Sequence, residues 1–445
     1  MVDHQETAGP VGAENFGPDE LAFRDETHTT AQKILVRQTS TPLGTVPYFT
    51  WDALSRNAFL SLYVDRYSYG FENLGCLLAK SPANGHLHAS VDAVGLAFIS
   101  LQDGRPDLVS MANQRYLSAI KNLRTTIQHL HQPATDSISN SVSNNIIQSV
   151  LLLDLYEKLT AHRGETVSVS NSWLSHIYGA LSMIRTRPTV DFSNAVTRQL
   201  ANRTVIALTI SCGAAGIKIP DALKALQKDL DGYIRSAKWA FIGMLSKIVD
   251  FRADIRNDSL TSSRILSQAR ELDAQLGVEE CNMPRSWQPQ RVYVSNRFVL
   301  DNYYDHYTNH YTTQVSNAFR IMRLEMNGII QNIEHTSSVT QNIIGITRDI
   351  CATVPQFILP EARPENNLPL TPLQILECCG LLTPLYVAAQ ITTESFVREW
   401  ILECLDHMAE NGVKMAKEVA QVLRVTPKAD YWSVFAMVGS CAITA

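Results

Sequence analysis

Two histidines, His306 and His310, stand four residues apart in the run N-Y-Y-D-H-Y-T-N-H-Y. On a helix this spacing puts both imidazoles on one face, as a pair of zinc ligands requires. A hydrolytic zinc site also needs a glutamate directly after the first histidine, and Tyr307 stands there. The group therefore reads as packed helix residues or as a ligand pocket. In the second reading Tyr303, His306, Tyr307 and His310 line an apolar effector with a few polar handles. Arg320 or Arg323 would then hold an anionic group.

Three aspartates, Asp250, Asp254 and Asp258, are also spaced by four and could present carboxylates to a divalent cation. Arg252 and Arg256 interleave them, and no second acidic helix completes a pyrophosphate site, so the segment reads as an ion-paired helix end. Cys378-Cys379 has apolar flanks and no nearby histidine, which suits buried thiols better than a nucleophile. The eight cysteines are scattered, with no C-x-x-C pair, as in a reducing compartment. No phosphate-binding glycine loop follows a strand and no G-x-S-x-G elbow is present. These residues call for no metal and no cofactor.

The elements that must position such groups are helical. Apolar residues recur at helical spacing over Trp51–Tyr69, Cys76–Lys80, Val91–His129, Asn145–Ala161, Trp173–Arg185, Phe192–Ser211, Asp221–Leu226, Gly232–Asp250 and Ser262–Leu276. The pattern continues in one long helix over Asp301–Ile333, then over Val339–Ala352, Thr371–Ala389, Thr393–Asn411 and Val413–Leu423. Strand signals at Val167–Val169 and Arg291–Val294 are short and isolated, so a sheet is not expected. The fold class predicted is all-α, a large multi-helix body of packed antiparallel helix pairs with no substantial sheet. Gly95, inside the first helix of the Val91–His129 hairpin, would admit a close helix neighbour.

The net charge is −5, and Met1–Gln32 holds seven acidic residues and one arginine. Neither favours broad attraction to nucleic acid. Residues 1–45 read as a disordered acidic lead-in, 46–425 as the helical body and 426–445 as a C-terminal tail. With neither a charged-then-apolar leader nor an unbroken apolar run of about twenty residues, the chain reads as soluble and intracellular, with no membrane partner.

Several blocks in order resemble a known family. A-V-G-L-A-F-I-S (93–100), R-P-D-L (105–108) and Y-L-S-A-I-K-N-L (116–123) come first. Q-S-V-L-L-L-D-L-Y-E (148–157) and W-L-S-H-I-Y-G-A (173–180) follow, then A-R-E-L-D (269–273) with M-P-R-S-W (283–287). N-A-F-R-I-M-R-L (317–324), I-C-A-T-V-P-Q-F (350–357), L-L-T-P-L-Y-V-A (381–388) and R-E-W-I-L-E-C-L (398–405) complete the series. Together they resemble the regulatory region of fungal zinc-cluster transcription factors, the fungal-specific transcription factor domain, over about residues 50–425.

The resemblance implies a nuclear or nucleocytoplasmic regulator, of the kind that serves a secondary-metabolite gene cluster. It would act through a small-molecule effector, transcriptional co-regulators, a DNA-binding partner protein or a homodimer. Members of the family carry six cysteines near the N-terminus that bind two zinc ions, whereas the first cysteine here is Cys76 and the second Cys212. Direct sequence-specific DNA binding is therefore not expected of this chain. Two alternatives stay open: the helical body has been recruited as a cyclase or isomerase-like enzyme, or the gene model lacks an upstream exon that encodes the cluster.

Overall fold

The computed structural model of the protein describes residues 48–103, 105, 107–129, 136–160, 171–186 and 191–438. The acidic lead-in, residues 1–45, and the Val167–Val169 strand signal lie outside the described residues. The chain is a stack of helices in which sequence neighbours mostly pack as antiparallel pairs. The first is α1 (Tyr48–Ala58), prolonged by a π-helical turn at Phe59–Val64 and followed by α2 (Leu74–Ala79). The hairpin of α3 (His86–Asp103) and α4 (Asp107–His129) packs on α1 and on α5 (Asp136–Thr160). A Cβ on Gly95 would lie 2.9 Å from the Ser55 carbonyl oxygen, so the close approach of α3 to α1 requires glycine there.

Next come α6 (Asn171–Arg185), α7 (Ala195–Ala215), α8 (Asp221–Leu230), α9 (Ala237–Arg256) and α10 (Ser262–Cys281). Their starts follow local capping chemistry: the side chains of Asn194, Ser236 and Thr261 accept the first free backbone N–H groups of α7, α9 and α10. Helix α7 ends on Gly216 in the left-handed region, φ 67°, where its N–H bonds back into the last turn.

The long helix expected from Asp301 is broken. Strand β1 (Gln290–Tyr293) pairs antiparallel with β2 (Tyr303–His306), and α11 begins only at His310 and runs to Ile333. Asp301 and Asn302 adopt φ 57° and 60°, a conformation that Asp and Asn tolerate and that a continuous helix forbids. Asn309 then caps α11 by accepting from the Thr312 N–H at 2.9 Å. This two-stranded ribbon is small, in keeping with the expectation of no substantial sheet, and its β1 begins one residue before the Arg291–Val294 signal.

The remaining elements are α12 (Ser337–Cys351), α13 (Pro355–Ile358), α14 (Pro372–Ile391), α15 (Ser395–Glu410), α16 (Lys414–Val425) and α17 (Tyr431–Val438). Helix α14 opens on a capping box of Thr371 and Gln374 with Pro372 at its first turn. It packs against α11, α12, α15, α16 and α17. By length and mean hydropathy (1.3) it could cross a membrane, yet 83% of that window is buried inside the body, so it serves as the central core helix. The residues set apart as a C-terminal tail include α17, whose Tyr431, Trp432 and Val434 are buried against α14 and α7.

A cavity with an apolar and a cationic chamber

The five residues singled out from the sequence occupy β2 (Tyr303 and His306), the turn after it (Tyr307) and α11 (His310 and Arg320). His306 ends β2 and His310 opens α11, so the two imidazoles do not share a helix face, and the zinc-type spacing is undone by the break between them. The Tyr303 ring lies under the Arg291 guanidinium, 4.0 Å from its centroid. His310 is buried, stacked on Tyr67 at 4.8 Å with Nε2 2.8 Å from the Tyr67 carbonyl oxygen and Nδ1 3.6 Å from Glu377 Oε1. Burial lowers its pKa.

Tyr307 and Arg320 do meet: Arg320 Nη2 donates to Tyr307 Oη at 2.9 Å. Arg320 Nη1 donates to Asn317 Oδ1 and the Asp349 carbonyl, both at 3.2 Å, and Nε lies 3.3 Å from Glu280 Oε1. The Tyr307 N–H donates to Gln356 Oε1 at 2.9 Å. These groups tie the turn after β2 to α10, α11, α12 and α13, and none of the five lines the cavities described next. The aspartate series also disperses, with Asp250 ion-paired to Lys224 at 2.8 Å, Asp254 to Lys218 at 2.6 Å, and Asp258 beyond the end of α9. Cys378 and Cys379 are buried, and burial pushes the Cys379 thiol up to about 12. Among the described residues, no three His, Cys, Asp or Glu side chains converge as a metal site would need.

Open space lies instead among α5, α7, α9, α11, α14 and α17. An apolar chamber of about 120 Å³ is lined by Ile210, Phe241, Leu245, Ala318, Met322 and Trp432 among others. Two polar groups at its walls, Trp432 Nε1 and Thr383 Oγ1, are buried without a hydrogen-bond partner. A second chamber of about 80 Å³ is lined by Asp154, Lys158, Gln199, Asn202, Arg203 and Trp239 among others. Ile206, Ile210 and Lys238 line both, so the chambers adjoin across one face of α7 and the Lys238 side chain.

The second chamber is cationic. Lys158 is 2% exposed and donates to Asp154 Oδ2 at 2.8 Å, one turn back on α5. Burial raises the Asp154 pKa, and its Oδ1 has no partner. Arg203 is buried on α7 with its guanidinium 3.6 Å from the Phe71 ring centroid, a cation–π contact in a desolvated setting, and burial lowers its pKa. Lys238 stands on the first turn of α9 with its Nζ 5.3 Å from the Tyr311 centroid. Burial and the Arg203 charge bring its pKa down to about 7. Asn202 Oδ1 is likewise buried and unpaired.

Sequence reasoning passed over these groups, although Lys158 and Arg203 are cations inside strongly apolar helical runs, L-L-L-D-L-Y-E-K-L and Q-L-A-N-R-T-V-I-A-L. A charge on the core face of a helix is the available signal. That Lys238 joins them, and that Trp432 closes the apolar side, depends on contacts far apart in sequence.

The family model described as fungal specific transcription factor domain matches residues 52–425, from the first turn of α1 to the end of α16. No curated protein and no solved structure matches the chain. Over the matched span the protein has the body of a transcription-regulator-like protein, with a nuclear role in general. It belongs to the family of the fungal specific transcription factor domain.

Proposed function

We propose that the protein is an effector-responsive regulator of a fungal metabolic pathway, and that its effector occupies the two-chambered cavity between α7, α9, α11 and α17. The single observation that carries this reading is the cavity itself: apolar walls, a few unpaired polar atoms and a cluster of buried and half-buried cations in two adjoining chambers. Small-molecule sites have this composition, whereas space left by imperfect packing is apolar throughout. A ligand shifts a regulator only when it binds one conformer better than another. Helix α17 supplies the conformer, since it forms one wall of the apolar chamber and is short enough to dock and undock as a unit. Output would pass to transcriptional co-regulators, a DNA-binding partner protein or a second copy of the chain.

The test is genetic. Deleting the gene in its native host should change the transcripts of a defined set of genes, and the wild-type gene should restore them. An Ala318→Phe chain, which fills the apolar chamber, should accumulate to wild-type levels and fail to restore the response. Full restoration by Ala318→Phe would contradict the assignment of the cavity.

A further inference from the structure

We infer that the cavity takes a small amphipathic organic anion, with its apolar body in the chamber beside Trp432 and its carboxylate between Lys238 and Arg203. This inference rests on the effector reading above and narrows it to a chemical class. Charge comes first. Lys158, Arg203 and Lys238 are three cations; Asp154 and Glu72 act on Arg203, and Glu72 acts on Lys238. Asp154 is engaged by Lys158, and Glu72 is an exposed residue whose carboxyl burial still pushes up. Among the described residues no carboxylate stands within ion-pair distance of Lys238, whose close neighbour is the uncharged Tyr311 ring. Lys238, a half-buried positive charge without an ion-pair partner among the described residues, is costly to hold unless an anion joins it.

Position comes second. Lys238 lies on the boundary of the two chambers, so a ligand that fills the apolar chamber meets the ammonium group where it would enter the cationic one. Size comes third. The apolar chamber, about 120 Å³, is of the order of the ~150 Å³ engineered cavity that holds benzene. One aromatic ring or a branched chain of similar bulk fits, and a fused polycycle does not.

Three probes of one shape separate the terms: 4-phenylbutyrate, its neutral amide and 4-phenylbutylamine, each titrated calorimetrically into the full chain. The acid should bind at least tenfold more tightly than the amide, and the amine should not bind. Lys238→Met should bring acid and amide within about threefold of each other, Lys238→Arg should keep the preference, and Ala318→Phe should remove both. Circular dichroism on each variant checks that the fold is retained. If the amide binds as well as the acid, or the acid's advantage survives Lys238→Met, the anion inference falls while the effector cavity stands. If none of the three binds at millimolar concentration, both fall.

Discussion

At the scale of single residues, Lys158 and Lys238 are both cations in a desolvated chamber, yet they should respond to substitution in opposite directions. Lys158 is fully buried and paired, so Lys158→Met leaves Asp154 as an uncompensated buried charge, at a cost of about 3–5 kcal/mol. Lys238 has no such partner, and Lys238→Met should stabilise the protein at neutral pH by about 1–3 kcal/mol. The folded pKa of Lys238, about 7, lies below the ordinary lysine value of 10.5. Between those values the unfolded chain binds a proton that the folded chain does not, so stability rises with pH there, and the full cost is felt below 7. The gain from Lys238→Met should therefore shrink as pH rises from 7 to 10.5. Of the groups that face Lys238, burial pushes the Tyr311 hydroxyl up to about 12, above this window, lowers Arg203 from the ordinary guanidinium value and raises the Glu72 carboxyl. Urea unfolding at pH 7 and pH 10 checks both substitutions, and equal destabilisation by the two would contradict the unpaired state of Lys238. A residue kept at the expense of stability is a mark of function rather than of packing. From the sequence, Lys158 and Arg203 could be read as core-facing charges, whereas Lys238, in S-A-K-W-A, looks like an ordinary first-turn lysine.

At the scale of elements, the cavity is closed by α17, and α17 is held by contacts remote in sequence. Trp432 packs so closely on α7 that a Cβ at Gly213 would stand 2.4 Å from its ring. Tyr431 Oη donates to Glu325 Oε2 at 2.6 Å, and Arg252 pairs with both Glu325 and Asp430. The preceding linker is tied to α14 through Tyr386 Oη and Gln390 Nε2, each 2.8 Å from the Ala429 carbonyl. Gly213→Ala should push Trp432 away, cost about 1–3 kcal/mol through overpacking, and speed hydrogen exchange across 431–438. Gly345→Ala, where nothing lies within 4 Å, should instead gain about 0.5–1 kcal/mol. Unchanged exchange in Gly213→Ala would show that α17 does not depend on this contact. Most helices were legible because apolar periodicity and caps are local. The break at 301–310 was not, because the aromatic and polar residues of Y-Y-D-H-Y fit a helix as well as a strand. Its signals, Asp301-Asn302 and the capping Asn309, carry meaning only once β1 is known to pair there. Helix α17 was missed for a related reason: a short run of eight residues, seven of them apolar, suits a tail until Gly213, some 220 positions earlier, is seen to receive Trp432.

At the scale of the whole molecule, the ordered series of helical blocks identified the family, because each block preserves a packing face and the series preserves their order. The cavity was not legible at that scale, since it is defined by what six helices leave unfilled. A regulator's helical body thus encloses an internal chamber, one wall of which is the last described helix. Effector binding beside Trp432 and Lys238 can be read by hydrogen exchange. The chain is measured with and without the small-molecule fraction of its native host. Bound effector should slow exchange in α7, in the first half of α9 and across 431–438. Protection confined to 303–320, or none in these three segments, would contradict binding there.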